Sequence, residues 1–204
     1  MRTKLVILDG DGILINMTEG HRICLDQALQ ETCGYTIPIE LHNSTLNGLP
    51  TKVKVSYLKA HDLIDQTVSI NDINRLKQEY TVRYIQNNIK KDPEKIKIYN
   101  YLNNNFDGDF AVYTNSVCIT AELMLQAVGF WPVHFLSNTD VSYPKPNPEG
   151  YNLLMNHYEV SPWETLVIED SGPGIQGGLA SGAWVWAAAG VESVTLENIK
   201  RVLI

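Results

Sequence analysis

Short apolar runs that end abruptly in polar residues are the feature that most constrains what this chain can fold into. Runs of three to five residues rich in Val, Ile, Leu and aromatics are typical of strands buried on both faces of a parallel sheet. The four clearest runs are Lys4 to Leu8 before Asp9, Phe110 to Tyr113 before Thr114, Val133 to Leu136 before Ser137, and Leu166 to Ile168 before Glu169. A fifth run, Trp184 to Ala188, predicts another strand, and its two tryptophans indicate core packing rather than ligand stacking.

Helical patterns separate these predicted strands. Residues 151–158 carry Tyr, Leu, Met and Tyr at i, i+3, i+4 and i+7, with Asn147 as the expected N-cap and Pro148 as the expected first helical residue. A second helix is predicted over Ile119 to Val128, ended by Gly129. Strands that alternate with helices predict an α/β fold, a Rossmann-like parallel sheet core with three α/β/α layers.

Residues 16–87 break this alternation. They show helical spacing, for example at Ile73, Leu76, Tyr80 and Tyr84, and little sign of strands. We interpret them as a helical cap domain inserted after the first strand. The predicted organisation is therefore a core formed by residues 1–15 and 88–204, and a cap formed by residues 16–87.

The charge and the cysteine content of the chain limit the kinds of molecule that it is expected to bind. The formal net charge of -7 disfavours nucleic acid and anionic membranes, which would be repelled at long range. Three cysteines without CxxC spacing predict neither a disulfide framework nor a zinc site, and the apolar run before Asp9 is too short for a signal-peptide core. These features favour a cytoplasmic protein that acts on a small molecule, compatible with a monomer, although the sequence leaves its oligomeric state open.

Polar side chains follow the predicted strands and are the first candidates for a site. In an open parallel sheet, ligands bind outside the carboxyl ends of the strands. The candidates at these ends are Asp9, Gly10, Asp11 and Gly12 after the first run, Thr114 and Asn115 after the second, Lys145 in the proline-rich loop after the third, and Glu169 and Asp170 after the fourth.

This set of residue types suits phosphoryl transfer. Such a reaction needs a nucleophile in line with phosphorus and positive charge on the equatorial oxygens. Two carboxylates one residue apart can divide the work if the backbone bends, so that one attacks and the other protonates the leaving oxygen. Converging carboxylates also call for a hard divalent ion, and Mg²⁺ is the expected partner.

Four stretches of the chain resemble the haloacid dehalogenase-like (HAD) superfamily of hydrolases, in the subgroup with a helical cap. They occur in the family's order: VILDGDGIL from Val6, VYTNS from Val112, KPNPEGY from Lys145, and VIEDSGPGIQGGLASG from Val167. The match covers the core motifs, and the cap is matched mainly by its position.

The resemblance implies a role for each matching residue. Asp9 is expected to be the nucleophile and Asp11 the general acid and base, while Thr114 and Lys145 bind phosphate. Asn115, which follows Thr114, is expected to donate to the phosphate because its amide is a hydrogen-bond donor at the same strand end. Mg²⁺ is expected at Asp9, Asp11, Glu169 and Asp170, with Asp11 contributing its carbonyl. In the cap, His21 matches a histidine common in this subgroup, and Lys77 is a further candidate substrate contact. For both, a solvated surface position is the competing interpretation.

Several alternatives remain open at this stage. The leading hypothesis is a Mg²⁺-dependent phosphatase of a small organic phosphomonoester, and the second is a phosphomutase of the β-phosphoglucomutase type. A third, a HAD-like binding protein without turnover, is motivated by Ile13 and Asn16, where the family usually has threonine and often has aspartate. A dehalogenase is disfavoured because a halide leaving group needs no acid such as Asp11. The substrate itself is not predicted.

The last motif also contains a literal G-x-G-x-x-G over residues 172–177, the pattern of a dinucleotide-binding turn. Little chain follows it, and Glu169 and Asp170 would place negative charge beside a pyrophosphate. We therefore expect these glycines to let a helix pack closely behind the acidic residues.

Overall fold

The computed structural model describes residues 2–46 and 49–203. Within them the chain forms two compact units, one from the described parts of Met1–Met17 and Ile89–Ile204, the other from those of Thr18–Asn88. We call the first the core unit and the second the helical unit. The predicted boundaries, after residues 15 and 87, lie within two residues of these bounds, and the function of the helical unit as a cap stays a prediction.

The core unit contains all five strands of a single sheet. They are β1 (Leu5–Leu8), β2 (Asp109–Tyr113), β3 (His134–Leu136), β4 (Thr165–Glu169) and β5 (Trp184–Ala187). Its α-helices are numbered with those of the helical unit in chain order: α5 (Pro93–Asn104), α6 (Cys118–Val128), α7 (Glu149–His157), α8 (Gly172–Ala180) and α9 (Leu196–Val202). Short 3₁₀ turns cover Pro162–Glu164 and Val191–Ser193.

The sheet is parallel throughout and has the order β3-β2-β1-β4-β5. Strand β1 is central, with Leu8 beside Val112 of β2 and Ile168 of β4. The fold predicted from the apolar runs is confirmed. Because β1, β2 and β4 end side by side, the polar residues that follow them share one rim of the sheet.

Both faces of the sheet are buried. Alternate residues of β1, β2 and β4 form one cluster with α7, which includes Leu5, Ile7 and Leu154. The intervening residues, such as Val6 and Val112, are equally inaccessible, because successive strand side chains point to opposite faces. This two-sided burial explains why the strands are continuous apolar runs in the sequence.

The helical unit is built from α1 (Thr18–Cys33), α2 (Ile39–Leu41), α3 (Thr51–Ala60) and α4 (Ile70–Asn88), with a π-helical turn over His42–Leu46. The helix predicted from Ile73, Leu76, Tyr80 and Tyr84 is α4, which confirms that pattern. The unit has its own apolar cluster, formed by residues such as Leu25, Leu29, Val55, Leu58 and Ile73.

Two details of the core unit differ from expectation. Helix α7 begins at Glu149, one residue after the predicted first residue Pro148. The Asn147 side chain accepts a hydrogen bond from the Glu149 amide at 3.0 Å, which is the contact expected of the predicted N-cap. Trp184 was expected in the core but is 59% exposed, because β5 is the edge strand of the sheet. By contrast, α6 ends at Gly129 as predicted, in a left-handed conformation with φ of 81°.

None of the helices in the described ranges is both long and apolar enough to cross a membrane.

Candidate active site at the carboxyl rim of the sheet

The ammonium group of Lys145 lies at the centre of the candidate site. Its Nζ donates to Asp9 Oδ1 at 2.6 Å, to Glu169 Oε1 at 2.5 Å and to the carbonyl of Tyr113 at 2.6 Å. Asp9 is 7% exposed, Lys145 is 6% exposed and Glu169 is fully buried. The ends of three strands and the loop after β3 therefore meet at one charged group, with all three ammonium protons used.

The loop that carries Lys145 is held in place by Asn115. The side chain of Asn115 donates from Nδ2 to the Lys145 carbonyl at 3.2 Å and accepts at Oδ1 from the Lys145 amide at 3.1 Å. Both ends of this side-chain amide are therefore used to position the lysine. Thr114 is buried beside it, and its hydroxyl oxygen accepts from the amide of Ser116 at 3.2 Å.

Burial and neighbouring charges set the protonation of this group. For Asp9, burial raises the pKa, Lys145 opposes the shift, and the charges of Glu169 and Asp11 add to it. For Lys145, burial disfavours the ammonium, but Asp9 and Glu169 outweigh it and raise the pKa. The lysine therefore stays charged at neutral pH and is the cation that lets two buried carboxylates lie close together.

Asp11 lies on a tight turn that follows β1. Its Oδ1 accepts from the Met17 amide at 2.8 Å, and the turn is closed by the Gly12 amide, which donates to the Ile15 carbonyl at 2.6 Å. Gly12 has a φ of 98°, and a Cβ at this position would overlap the carboxylate of Asp170. Glycine is thus required here twice, for its backbone conformation and for the space that Asp170 occupies.

Glu169 accepts hydrogen bonds on both of its oxygens. Besides Lys145, it accepts from the Tyr151 hydroxyl at 3.0 Å, from the Asp170 amide at 3.2 Å, and from the amide and hydroxyl of Ser171 at 3.2 and 3.0 Å. A Cβ on Gly174 would overlap this carboxylate. The glycine-rich start of α8 therefore lets the helix pack directly behind the acidic residues, as the sequence predicts.

The acidic residues form a group that suits a hard cation. One oxygen from each of Asp9, Glu169 and Asp170 lies within 4.8 Å of the others. Burial raises the pKa of Asp170 to about 6, and the charges of Glu169 and Asp11 add to the shift. Oxygen ligands that repel one another are the donor set that Mg²⁺ prefers. Asp11 is outside this three-residue group, although its charge is felt by both Asp9 and Asp170.

The two predicted cap residues meet in the helical unit. Lys77 Nζ and His21 Nδ1 are 3.2 Å apart. An ammonium group can only donate, so His21 accepts at Nδ1 in this contact. Lys77 is only 8% exposed, so it is not the solvated surface side chain of the competing interpretation. His21 is half-buried.

Sequence reasoning missed one contributor to the site. The hydroxyl of Tyr151 donates to Glu169. The sequence gave no sign of this contact, because Tyr151 also fits the apolar face of α7 and its burial there needs no further explanation.

Comparison with known proteins agrees with this architecture. The family model described as haloacid dehalogenase-like hydrolase matches residues 6–188. Glycerol-1-phosphate phosphohydrolase 2 of Saccharomyces cerevisiae is 30% identical over 118 residues, which cover 54% of this chain and 47% of the yeast protein. The match thus spans about half the length of that curated relative.

Solved structures share the fold. CbbY from Rhodobacter sphaeroides, determined in complex with phosphate, aligns with a TM-score of 0.78 and 21% identity over 91% of this chain and 85% of its own. A HAD hydrolase of family IA, variant 3, from Entamoeba histolytica aligns with a TM-score of 0.78 and 19% identity over 98% of this chain and 99% of its own. At these identities the likeness concerns the fold alone.

Proposed function

The chain belongs to the haloacid dehalogenase-like hydrolase family, and from that premise we propose that it is a phosphatase acting on a small organic phosphomonoester through an aspartyl-phosphate intermediate. The observation that carries the proposal is the contact of Lys145 with Asp9 and Glu169 at 2.6 and 2.5 Å, beside Asp170 at the rim of the sheet. A buried carboxylate with a fixed cation beside it is what attack on an anionic phosphoryl group requires.

In the first step, a carboxylate oxygen of Asp9 attacks phosphorus. The bond from Asp9 to phosphorus forms as the ester bond to the leaving oxygen breaks, and Asp11 gives that alkoxide its proton. The Met17 amide supports this role of Asp11, because its hydrogen bond at 2.8 Å fixes one carboxyl oxygen. The products of the step are the free alcohol, the aspartyl phosphate and an ionised Asp11.

In the second step, water hydrolyses the aspartyl phosphate. Asp11, now a carboxylate, takes a proton from the water as its oxygen attacks phosphorus, and the bond to Asp9 breaks. Inorganic phosphate leaves, and both carboxyl groups return to their starting states. The Thr114 hydroxyl donates to a phosphoryl oxygen, Lys145 supplies positive charge beside the phosphoryl group, and Asn115 contributes by holding the lysine in place.

Asp9, Asp170 and the backbone carbonyl of Asp11 would hold Mg²⁺, with Glu169 adding its charge while its hydrogen bonds hold Lys145. When bound, the ion neutralises negative charge on the transferring phosphoryl group. The helical unit acts as the cap, where His21 and Lys77 are substrate contacts. The protein acts in the cytoplasm on a small phosphate, and not on nucleic acid or membranes.

A comparison of two Asp-Gly-Asp sequences in this chain tests the nucleophile. Asp9→Asn should reduce Mg²⁺-dependent release of phosphate from p-nitrophenyl phosphate by at least about a thousandfold, because an amide cannot form the acyl phosphate. Asp107→Asn is the matched control, since Asp107 begins the same tripeptide but its side chain is 81% exposed. It should retain the activity of the unchanged protein.

Near-normal turnover by Asp9→Asn would refute the nucleophile assignment.

A panel of sugar phosphates, nucleotides and phosphoglycolate, assayed with Mg²⁺, distinguishes the candidate functions. Release of inorganic phosphate supports the phosphatase proposal, whereas formation of an isomeric sugar phosphate would show that the protein is a phosphomutase. Binding across the panel without any turnover would favour a binding protein instead.

A further inference from the structure

Tyr151, on α7 of the core unit, is a buried tyrosine whose hydroxyl reaches the charged group of the candidate site. Its side chain is only 1% exposed. The hydroxyl oxygen lies 3.0 Å from Glu169 Oε1 and 3.1 Å from the carbonyl oxygen of Gly174. A hydroxyl has a single proton, and a carboxylate accepts it more strongly than a neutral carbonyl does. Glu169 is therefore the main acceptor.

The two oxygens of Glu169 are held in different ways. Oε2 accepts from the Ser171 hydroxyl and from two backbone amides of the turn that follows β4. Oε1 accepts from two side chains that come from outside this strand end, Lys145 Nζ at 2.5 Å and the Tyr151 hydroxyl. The hydroxyl thus takes up part of a negative charge that would otherwise act on the Lys145 ammonium alone.

Two tyrosine rings also border this ammonium. Nζ lies 4.7 Å from the centroid of the Tyr113 ring and 5.6 Å from that of the Tyr151 ring, both within the range of about 6 Å for a cation–π contact. The rings meet edge to face, with their centroids 4.9 Å apart. Among the described residues the Tyr113 hydroxyl has no hydrogen-bond partner. Of the two hydroxyls, only that of Tyr151 therefore acts on the charged group.

We propose that Tyr151 is a positioning residue for the reaction: its hydroxyl engages Glu169 Oε1 and so keeps the Lys145 ammonium from a tighter ion pair there. Without the hydroxyl, the full charge on Oε1 would draw the ammonium toward Glu169. The positive charge would then lie further from Asp9 and from the phosphoryl group that Asp9 attacks. The inference rests on the proposed phosphatase function and deepens it, by adding a residue that acts through two others without touching the substrate.

Tyr151→Phe tests this role, because it keeps the ring and removes only the hydroxyl. The position of a fixed charge matters most where charge is redistributed, in the transition state, so the effect should appear in kcat. With the full chain, Mg²⁺ and p-nitrophenyl phosphate, we expect kcat to fall by about tenfold. KM should stay within about threefold, because binding of the ground state depends less on that position.

Tyr158→Phe is the matched control. Tyr158 directly follows α7, and its hydroxyl also forms a hydrogen bond, at 2.7 Å to Nδ1 of His134. That hydroxyl lies near the carbonyl of Phe110, at the end of β2 opposite the candidate site. Both variants lose one engaged hydroxyl from the core unit, but only Tyr151→Phe should lower kcat. An equal fall in both variants would indicate lost stability and overturn the inference.

Crystal structures of the unchanged protein and of both variants provide a measurement that does not depend on turnover. In Tyr151→Phe the distance from Lys145 Nζ to Asp9 Oδ1 should increase by at least about 0.5 Å, the tolerance within which catalytic groups must be held. In Tyr158→Phe this distance should stay as it is in the unchanged protein.

The outcomes separate the inference from the proposed function. With turnover present, an unmoved ammonium, an unchanged kcat or an effect on KM alone in Tyr151→Phe would overturn the inference and leave the phosphatase proposal intact. If the unchanged protein turns over no phosphate ester, the crystal structures decide. A displaced ammonium in Tyr151→Phe alone would support the role of Tyr151 in placing the lysine while the phosphatase proposal fails, and an unmoved one would overturn both.

Discussion

Two buried lysines, one in each unit, have almost the same exposure and opposite environments. Lys145 of the core unit is 6% exposed and donates to Asp9, Glu169 and a backbone carbonyl. Lys54 of the helical unit is 7% exposed and has none of these partners within the described ranges. The first charge is balanced by carboxylates of the protein, whereas no carboxylate in the described ranges forms an ion pair with the second.

The comparison separates a buried charge that carboxylates compensate from one that they compensate only in part. Removing the partner of a compensated buried ion destabilises a protein, whereas removing an uncompensated ion relieves a cost. The pKa values agree with this division, since carboxylates raise that of Lys145 while burial lowers that of Lys54 to about 8. The predictions that follow test it, beginning with the largest effect.

Lys145→Met should have the largest effect on both activity and stability. This substitution leaves Asp9 and Glu169 buried without a cation. We expect turnover to fall by at least about a hundredfold, as when a donor that stabilises transition-state charge is removed. We also expect the free energy of unfolding to fall by about 3 kcal/mol. Urea denaturation and assay of p-nitrophenyl phosphate with Mg²⁺ measure these effects. Lys97→Met is the control, because its side chain is 62% exposed. Equal stability of the two variants would contradict the role given to Lys145.

Gly174→Ala should come next, because the core unit has no space behind Glu169. The added methyl group would overlap the carboxylate, and we expect a loss of about 2 kcal/mol in the free energy of unfolding from overpacking. Gly172→Ala, in the first turn of the same helix, has open space and should change stability by less than about 0.5 kcal/mol. Thermal unfolding of both variants makes the comparison. A tolerated Gly174→Ala would mean that Glu169 can move away from Lys145.

Lys54→Met should change the free energy of unfolding in the opposite direction to Lys145→Met. We expect an increase of about 1 to 2 kcal/mol at pH 7, because a largely buried charge without an ion pair is removed. The folded-state pKa of about 8 lies below the ordinary 10.5, so the unfolded chain binds more protons between these values. The cost of Lys54 is thus fully present below pH 8 and is relieved as the pH rises toward 10.5.

Thermal unfolding of Lys54→Met and the unchanged protein from pH 6.5 to pH 10 measures this difference. The gain from Lys54→Met should shrink across the upper part of the range, because Lys54 loses its charge there in the folded protein. The charged groups that act on Lys54 are Lys77 and Asp26. A gain that stays constant to pH 10 would show that Lys54 is paired or solvated.

The smallest expected effect comes from Arg22→Gln, which would make Asp26 available to Lys54. Arg22 now holds the Asp26 carboxylate at 2.8 Å. With that cation removed, Asp26 can compensate Lys54 in part, so the gain from Lys54→Met should fall by about 0.5 kcal/mol in the Arg22→Gln background. A double-mutant cycle by thermal unfolding measures this coupling, and additive effects would show that Asp26 cannot reach the lysine.

Much of the fold was predictable because parallel strands buried on both faces are continuous apolar runs. Lys4 to Leu8 and Leu166 to Ile168 identify β1 and β4 for this reason, and Gly129 ends α6 because it can adopt a positive φ. At the edge of the sheet the strand β5 was predicted correctly, but the expected burial of Trp184 was wrong, because an edge strand has a neighbouring strand on only one side.

The candidate site was predictable as a set of residues and not as a set of contacts. Asp9, Lys145 and Glu169 follow strands and so were expected at one rim. Nothing in the sequence indicated that Asn115 holds the Lys145 backbone with both ends of its amide, or that Tyr151 donates to Glu169. Those contacts depend on side-chain directions that spacing along the chain does not encode.

The sequence by itself determined where strands and helices lie and which polar residues follow each strand, because burial periodicity and turn chemistry are local properties. Tertiary structure alone decided which charges meet. Lys145 meets Asp9 across 136 residues and Glu169 across 24, while Lys54, which is almost as buried, forms no ion pair within the described residues. The physical reason is that compensation of a buried charge depends on distances of a few ångströms between distant segments, and only the folded chain sets those distances.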